Sequence, residues 1–168
     1  YSDASKGEIT MAFRPMRRHK QQVETAVCQE ILAKAPRGVL AVSGDDNYPY
    51  AVPVNFYYDA AKNAIYFHTA KEGHKVDAFR RNPKVSFCVY NEGYVPEGDF
   101  ALTITSVISF GTIRELTDPA ERYETARQLG TKMYPSPEIL EQNLKAVDRM
   151  LAWELTIEHM TGKKITER

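Results

Sequence analysis

Seven consecutive residues, Thr69–Lys75 (TAKEGHK), gather a hydroxyl, two lysines and a histidine around one glycine. A strand pattern ends at His68-Thr69 and a helical one begins at Gly73-His74-Lys75, so the segment reads as a strand-to-helix turn. A helix start carries backbone N–H groups without intrahelical acceptors and the positive end of the peptide dipoles, which together suit a phosphate. The Thr69 hydroxyl can add a hydrogen bond, and Lys71, His74 and Lys75 can add charge. Charge-assisted bonds of that kind are roughly twice as strong as neutral ones. The same residues would also serve as the solvated face of a short helix, and at this level both readings stand. His68 carries an imidazole able to move a proton near neutral pH, or simply to bond backbone at a strand end. With His74 it makes no metal site, because the sequence places no third ligand, and no metal is expected.

Other chemistries find little purchase. The serines and Cys88 sit in no nucleophile elbow, and no Ser-His-Asp arrangement is visible. Neither a GxGxxG run nor a phosphate loop of the GxxxxGK type occurs. The two cysteines, Cys28 and Cys88, are too few and too far apart for a zinc site or a disulfide framework and read as buried thiols. Lysine plus arginine equals aspartate plus glutamate at 22 each, so no global charge draws the chain to nucleic acid or an anionic membrane. No apolar stretch reaches the ~20 residues needed to span a bilayer, and the expected location is the cytoplasm.

The elements that would position these residues are mostly strands. The length of 168 residues suits one domain, expected over 16–168, with 1–15 as an N-terminal arm or added extension that includes the patternless Tyr1–Thr10. Val23, Val27 and Ile31 recur every fourth residue and predict a helix over Gln22–Ala35 that Pro36 stops. Six strand-like runs follow: Gly38–Ser43, Tyr50–Asp59, Ala64–Thr69, Lys84–Tyr90, Leu102–Leu116 and Ala152–His159. Gly111 reads as a bulge or a close approach. Thr161–Lys164 reads as a polar tail. A short helix is expected at His74–Arg81, ended by Asn82-Pro83. Two more open on Asp118-Pro119 and Ser136-Pro137, the latter with a stripe of Leu140, Leu144, Val147 and Leu151. Short turns between strands favour antiparallel pairing, and helices at the ends and between strands suggest a nearly closed barrel. The expected class is α+β, mainly β.

The run YFHTAKEGHK resembles the phosphate-binding segment of the pyridoxamine 5′-phosphate oxidase-like flavoproteins, with Thr69 in the hydroxyl place and His74-Lys75 as the basic pair. The ordered set Tyr48–Phe56 (YPYAVPVNF), Phe67–Lys75, Asn82–Val85 (NPKV) and Ser106–Gly111 (SVISFG) is similar to the 5-nitroimidazole-reductase-like branch, from about Met16 to Lys163. The resemblance implies an antiparallel, six-stranded split β-barrel of the FMN-binding type. It places Val52, Pro53, Val54 and Asn55 along the flavin ring, His68 and Thr69 beside the ribityl phosphate, and Lys71, His74 and Lys75 around the phosphate. Ser106 takes a place from which relatives reach the flavin across a homodimer interface, although serine is shorter than their amide.

The implied activity is an FMN-dependent oxidoreductase that passes electrons from NAD(P)H to a small acceptor, a nitroaromatic such as 5-nitroimidazole or a quinone. His68 is the candidate catalytic side chain. The alternative is a flavin- or haem-binding storage or sensor protein without turnover. The arginine and histidine substrate motif of the vitamin B6 oxidases has no counterpart in Leu151–Arg168. Asn55 could instead close a bulge, Trp153 could pack in the core, and Arg17, Arg18 and His19 suit a basic arm.

Overall fold

A computed structural model describes residues 13–134 and 136–168, whose eight strands form one antiparallel sheet accompanied by four α-helices. In chain order these are β1 (Gln22–Val23), α1 (Thr25–Lys34), β2 (Gly38–Ser43), β3 (Pro49–Val54), β4 (Tyr57–Asp59), β5 (Ala64–Thr69), α2 (His74–Arg81), β6 (Lys84–Tyr90), β7 (Thr103–Leu116), α3 (Pro119–Met133), α4 (Pro137–Leu144) and β8 (Leu151–Thr166). The sheet runs β3-β2-β6-β7-β8-β5-β4, and β1 adds to β8.

Eight strands replace the six expected, for two reasons. The run Tyr50–Asp59 breaks at Asn55-Phe56 into β3 and β4, and Gln22-Val23 pairs with Gly162 and Lys163 instead of opening α1. The supposed polar tail at Thr161–Lys164 is the second half of β8, hydrogen-bonded to β7 through Thr166. The helical stripe ends at Leu144, and Leu151 begins β8. Both helix starts are capped as Asp118-Pro119 and Ser136-Pro137 predict: Asp118 accepts from Ala120 N at 2.8 Å and Ser136 from Ile139 N at 3.2 Å. Glu121, in the first turn of α3, pairs with Arg114.

Tether length dictates the shape. Seven strands laid flat at a spacing of ~4.8 Å would hold β3 and β4 about 29 Å apart. Only Asn55 and Phe56 join them, a reach of at most ~11 Å. The sheet therefore curls until its two ends approach at Asn55-Phe56. Inside the curl lie Leu40, Phe67, Phe87, Val107 and Leu155, each at most 1% exposed, with Cys28 and Leu32 of α1 packed among them. The aromatic rings meet edge to face: Phe56 on Phe87 at 4.9 Å, and Phe79 of α2 on Trp153 at 4.9 Å.

β5 is buried on both faces. Ile65, Phe67 and Thr69 face the curl, while Ala64 and Tyr66 join Leu116 and Ala152 in a second cluster, with α3 packed on this strand. A period of two therefore sends Thr69 inward and His68 toward the helical side.

Candidate functional site

The site is built around the end of β5. Past Thr69 the chain turns through exposed Lys71, Glu72 and Gly73 into α2. Gly73 caps that helix with φ +141°, a conformation that side chains on Cβ disfavour, and an added Cβ would meet nothing within 4 Å. No side chain caps the helix. Its first bonded amide is Asp77 N–H, which donates to Gly73 O at 3.1 Å, so the amides of His74, Lys75 and Val76 have no intrahelical acceptor. Lys71 and Lys75 have no carboxylate partner among the described residues. The sum is a helix start rich in free donors and flanked by two lysines without carboxylate partners.

Two residues of this segment are already engaged inside the chain. The Thr69 hydroxyl donates to Ala70 O at 2.7 Å and accepts from Trp153 Nε1–H at 2.9 Å, which satisfies the buried indole and fixes the strand end. The His74 ring stacks on Tyr50 at 4.1 Å, and its Nε2 accepts from Asp45 N–H at 3.4 Å. Arg81 Nη1 donates to Asp45 Oδ1 at 2.8 Å, so α2 is clamped at both ends to the β2–β3 turn.

On the helical side of the same strand end lies a cleft of about 290 Å³. His68 and Asn55 line one part of it, and residues of α3, α4 and the 3₁₀ turn at Val147–Arg149 complete it. Asn55 Oδ1 is buried without a hydrogen-bond partner. Such atoms are rare in native proteins and mark a place where a donor is expected. Burial first, and then the charge of Lys75, hold the His68 imidazole below its usual pKa, although part of the residue remains open to solvent. It is therefore neutral at neutral pH, a polar group without charge.

The sign of that shift has a consequence. As pH falls through ~6.5, the unfolded chain takes up a proton at position 68 that the folded site resists, so the native state loses stability until the lower folded pKa is passed. Urea midpoints at pH 7.5 and 5.5 should differ less in a His68→Gln variant than in the parent. Equal slopes in the two proteins would remove His68 from the acid response.

The other expected residues divide by face. On β3, Val52 and Val54 lie toward the curl, whereas Pro53 is exposed on the outside. β3 ends the sheet, so its outer row of backbone groups is free of strand partners. Ser106 pairs with Lys163, twelve residues along β8 from the Leu151 that faces Thr69, or about 40 Å of strand path. One copy of the chain does not bring Ser106 to the other residues. Arg149 and the walls from α3 and α4 are the parts that sequence reasoning missed. Arg149 follows directly on the helical stripe, and nothing local tells it from a solvated arginine.

A second cleft, of about 310 Å³, lies between the other half of α3 and the β4–β5 hairpin, against Tyr57 and Tyr66. Of its acidic groups, Glu121 pairs with Arg114 and Glu124 with Arg127 within the chain. Tyr66 Oη donates to Glu154 at 2.7 Å, and burial raises the phenol pKa further.

The sequence matches the family model described as pyridoxamine 5′-phosphate oxidase over residues 24–164. No curated protein sequence matches it. Among solved structures, a candidate 5-nitroimidazole antibiotic resistance protein from Bacteroides thetaiotaomicron superposes with a TM-score of 0.74 at 19% identity, covering 86% of this chain and 87% of that one. The FAD binding protein from Mycobacterium smegmatis gives 0.64 at 19% identity, with 88% and 99% covered. The FAD and heme binding protein from the same organism gives 0.68 at 18%, with 88% and 74% covered. At these identities the likeness concerns the fold.

Proposed function

The chain belongs to the pyridoxamine 5′-phosphate oxidase family, and from that premise we propose that it is an FMN-dependent oxidoreductase built on a split β-barrel. The observation that carries this reading is unmet hydrogen bonding on both sides of the end of β5. Free amides of α2 with Lys71 and Lys75 lie on one side, and Asn55 Oδ1 beside a neutral His68 lies on the other. A phosphate suits the first, and a small polar ligand held beside the flavin suits the second.

The residues present fit that cofactor. The α2 amides, Lys71 and Lys75 would hold the phosphate, and His74, stacked on Tyr50, would border it. Thr69, through Trp153, sets the strand end from which the cradle hangs. The free edge of β3 at Val52–Asn55 would meet the ring. FMN when bound supplies hydride and electron transfer, chemistry that no side chain here provides; the protein binds, orients and shields. Electrons would come from NAD(P)H and pass to a small acceptor, a nitroaromatic such as 5-nitroimidazole or a quinone. The description of the Bacteroides structure supports the first of these.

A homodimer would complete the site. The outer face of the sheet aligns Pro53, Val39, Cys88 and Ile108 across four strands, with Ala51, Ala41, Ser86 and Phe110 in the next row. Phe110 and Ile108 are 40% and 41% exposed, and Ser106 lies on this face. A second copy seated there would bring its own Ser106 toward the flavin. Storage or sensing without turnover is the second reading, favoured by the neighbour described as binding FAD and heme.

The test compares FMN with riboflavin, which lacks the phosphate. In fluorescence titrations the parent should bind FMN more tightly, and a Lys71→Ala/Lys75→Ala variant should lose about tenfold in FMN affinity with riboflavin unchanged, as expected for lost charge-assisted bonds. Unchanged FMN affinity would remove the cradle from the phosphate. Anaerobic bleaching of the bound flavin by NADH or NADPH separates turnover from storage.

A further inference from the structure

The cleft beside His68 has an unusual balance of groups. Leu129 and Met133 of α3, Leu140 and Leu144 of α4, and Met150 form apolar walls. Not one described residue lining it is acidic, in contrast with the Tyr57–Tyr66 cleft and its Asp59, Glu121 and Glu124. Arg149 lines the cleft, is exposed, and has no carboxylate partner among the described residues. Arg149 is thus the charged side chain among the described lining residues, and it favours an anionic ligand over a cationic one.

Asn55 sets a further requirement. Its Oδ1 is buried and unpaired, and a buried acceptor left without a donor is costly. Asn55 lines the cleft, so a turn of its side chain lets a ligand N–H or O–H recover that bond. Leucine and methionine walls suit a ring, since thioether sulfur makes favourable contacts with aromatic edges. The volume, about 290 Å³, lies at the small end of ligand pockets, which span ~300–1,000 Å³.

We infer that this cleft binds a small aromatic carboxylate bearing a ring hydroxyl or amino group, with the carboxylate on Arg149, the ring donor on Asn55 Oδ1 and the ring between the leucine and methionine side chains. Guanidinium and carboxylate match in planar, two-bond geometry. That the ligand exchanges electrons with a flavin rests on the proposed function above; that it binds does not.

Calorimetry with 4-hydroxybenzoate, benzoate and neutral 4-hydroxybenzamide tests the inference, on the protein as purified and again after addition of FMN, with FMN uptake read from visible absorbance. The parent should prefer 4-hydroxybenzoate to both analogues. Arg149→Gln should weaken the acid about tenfold and abolish its advantage over the amide. Asn55→Ala should abolish its advantage over benzoate. Arg149 is exposed, so its variant should melt as the parent does. FMN uptake without acid binding in either state, or acid binding indifferent to Arg149→Gln, overturns the inference and leaves the flavin reading intact. Arg149-dependent acid binding without FMN uptake supports the site and removes the flavin reading.

Discussion

A Lys132→Met variant should unfold with about 2–4 kcal/mol less free energy than the parent, read from urea midpoints at constant slope. Lys132 lies in the last turn of α3, where a lysine ordinarily faces solvent and complements the helix dipole. Here its side chain turns inward and ties three elements together. Nζ donates to Ala35 O, just past α1, at 2.7 Å and to Phe56 O, in the break between β3 and β4, at 2.8 Å. It also sits 4.0 Å from the centre of the Phe56 ring. Hydrogen bonds from a charged donor are worth about 1.5–3 kcal/mol each, and a cation over an aromatic face adds ~0.5–1.

Burial works against the charged form and lowers the ammonium pKa, so methionine, which keeps the apolar stem, recovers part of the loss. What it cannot recover is the pairing of carbonyls on two residues only 6% and 0% exposed. A second effect follows from position. Phe56 succeeds Asn55, so freeing the Phe56 carbonyl loosens the break that presents Asn55 to the cleft, and ligand affinity there should fall with stability. A midpoint shift equivalent to under ~0.5 kcal/mol, within the range of ordinary surface substitutions, would mean that those carbonyls do not depend on the ammonium.

Lys132 also marks where sequence reading stops. Strands Gly38–Ser43, Ala64–Thr69 and Lys84–Tyr90 and the helix His74–Arg81 were legible to the residue, because turn residues bound each run and local pattern and tertiary role agree. The break at Asn55-Phe56 was not, since β-branched and aromatic residues continue through it. What stops the strand is a corner of the curled sheet, held by a lysine far along the chain. The far half of β8 was missed for a related reason. Thr161-Gly162-Lys163-Lys164 has the composition of a tail, and only pairing with β7 and β1 makes it a strand.

The candidate site divides in the same way. The α2 cradle is contiguous from Thr69 to Lys75 and could be read directly. The cleft draws on Asn55, His68, α3, α4 and Arg149, which no local pattern connects. Ser106 was placed correctly on a strand, but within one chain it lies far from the other residues, and only the proposed second copy would bring it to them.

Gly111 is the position where pattern and packing agree most closely, and alanine there should cost about 3 kcal/mol. The strand run alone marked it as a bulge or a close approach, and both are found. The β7–β8 register shifts between Phe110 and Gly111, and a Cβ on Gly111 would lie 2.1 Å from Thr156 O and 2.8 Å from Leu155 Cδ2. Leu155 could turn away. The Thr156 carbonyl belongs to the backbone of β8, the longest strand, and can retreat only by opening the ladder on either side. Overpacking of a rigid interior costs ~1–3 kcal/mol, and lost ladder bonds add to it. In a domain of this size 1 kcal/mol moves Tm by about 2–4 °C, so Gly111→Ala should melt roughly 6–12 °C below the parent. The loss should lie in the core of the curled sheet and not at the start of α2, because α2 and Lys71 are not joined to this part of the β7–β8 ladder; affinity for FMN, the proposed cofactor, measured well below the melting range should match the parent. A Tm within about 2 °C of the parent would show that β7 and β8 do not approach so closely at the bulge, and the curl that brings β3 and β4 together would lose one of its determinants.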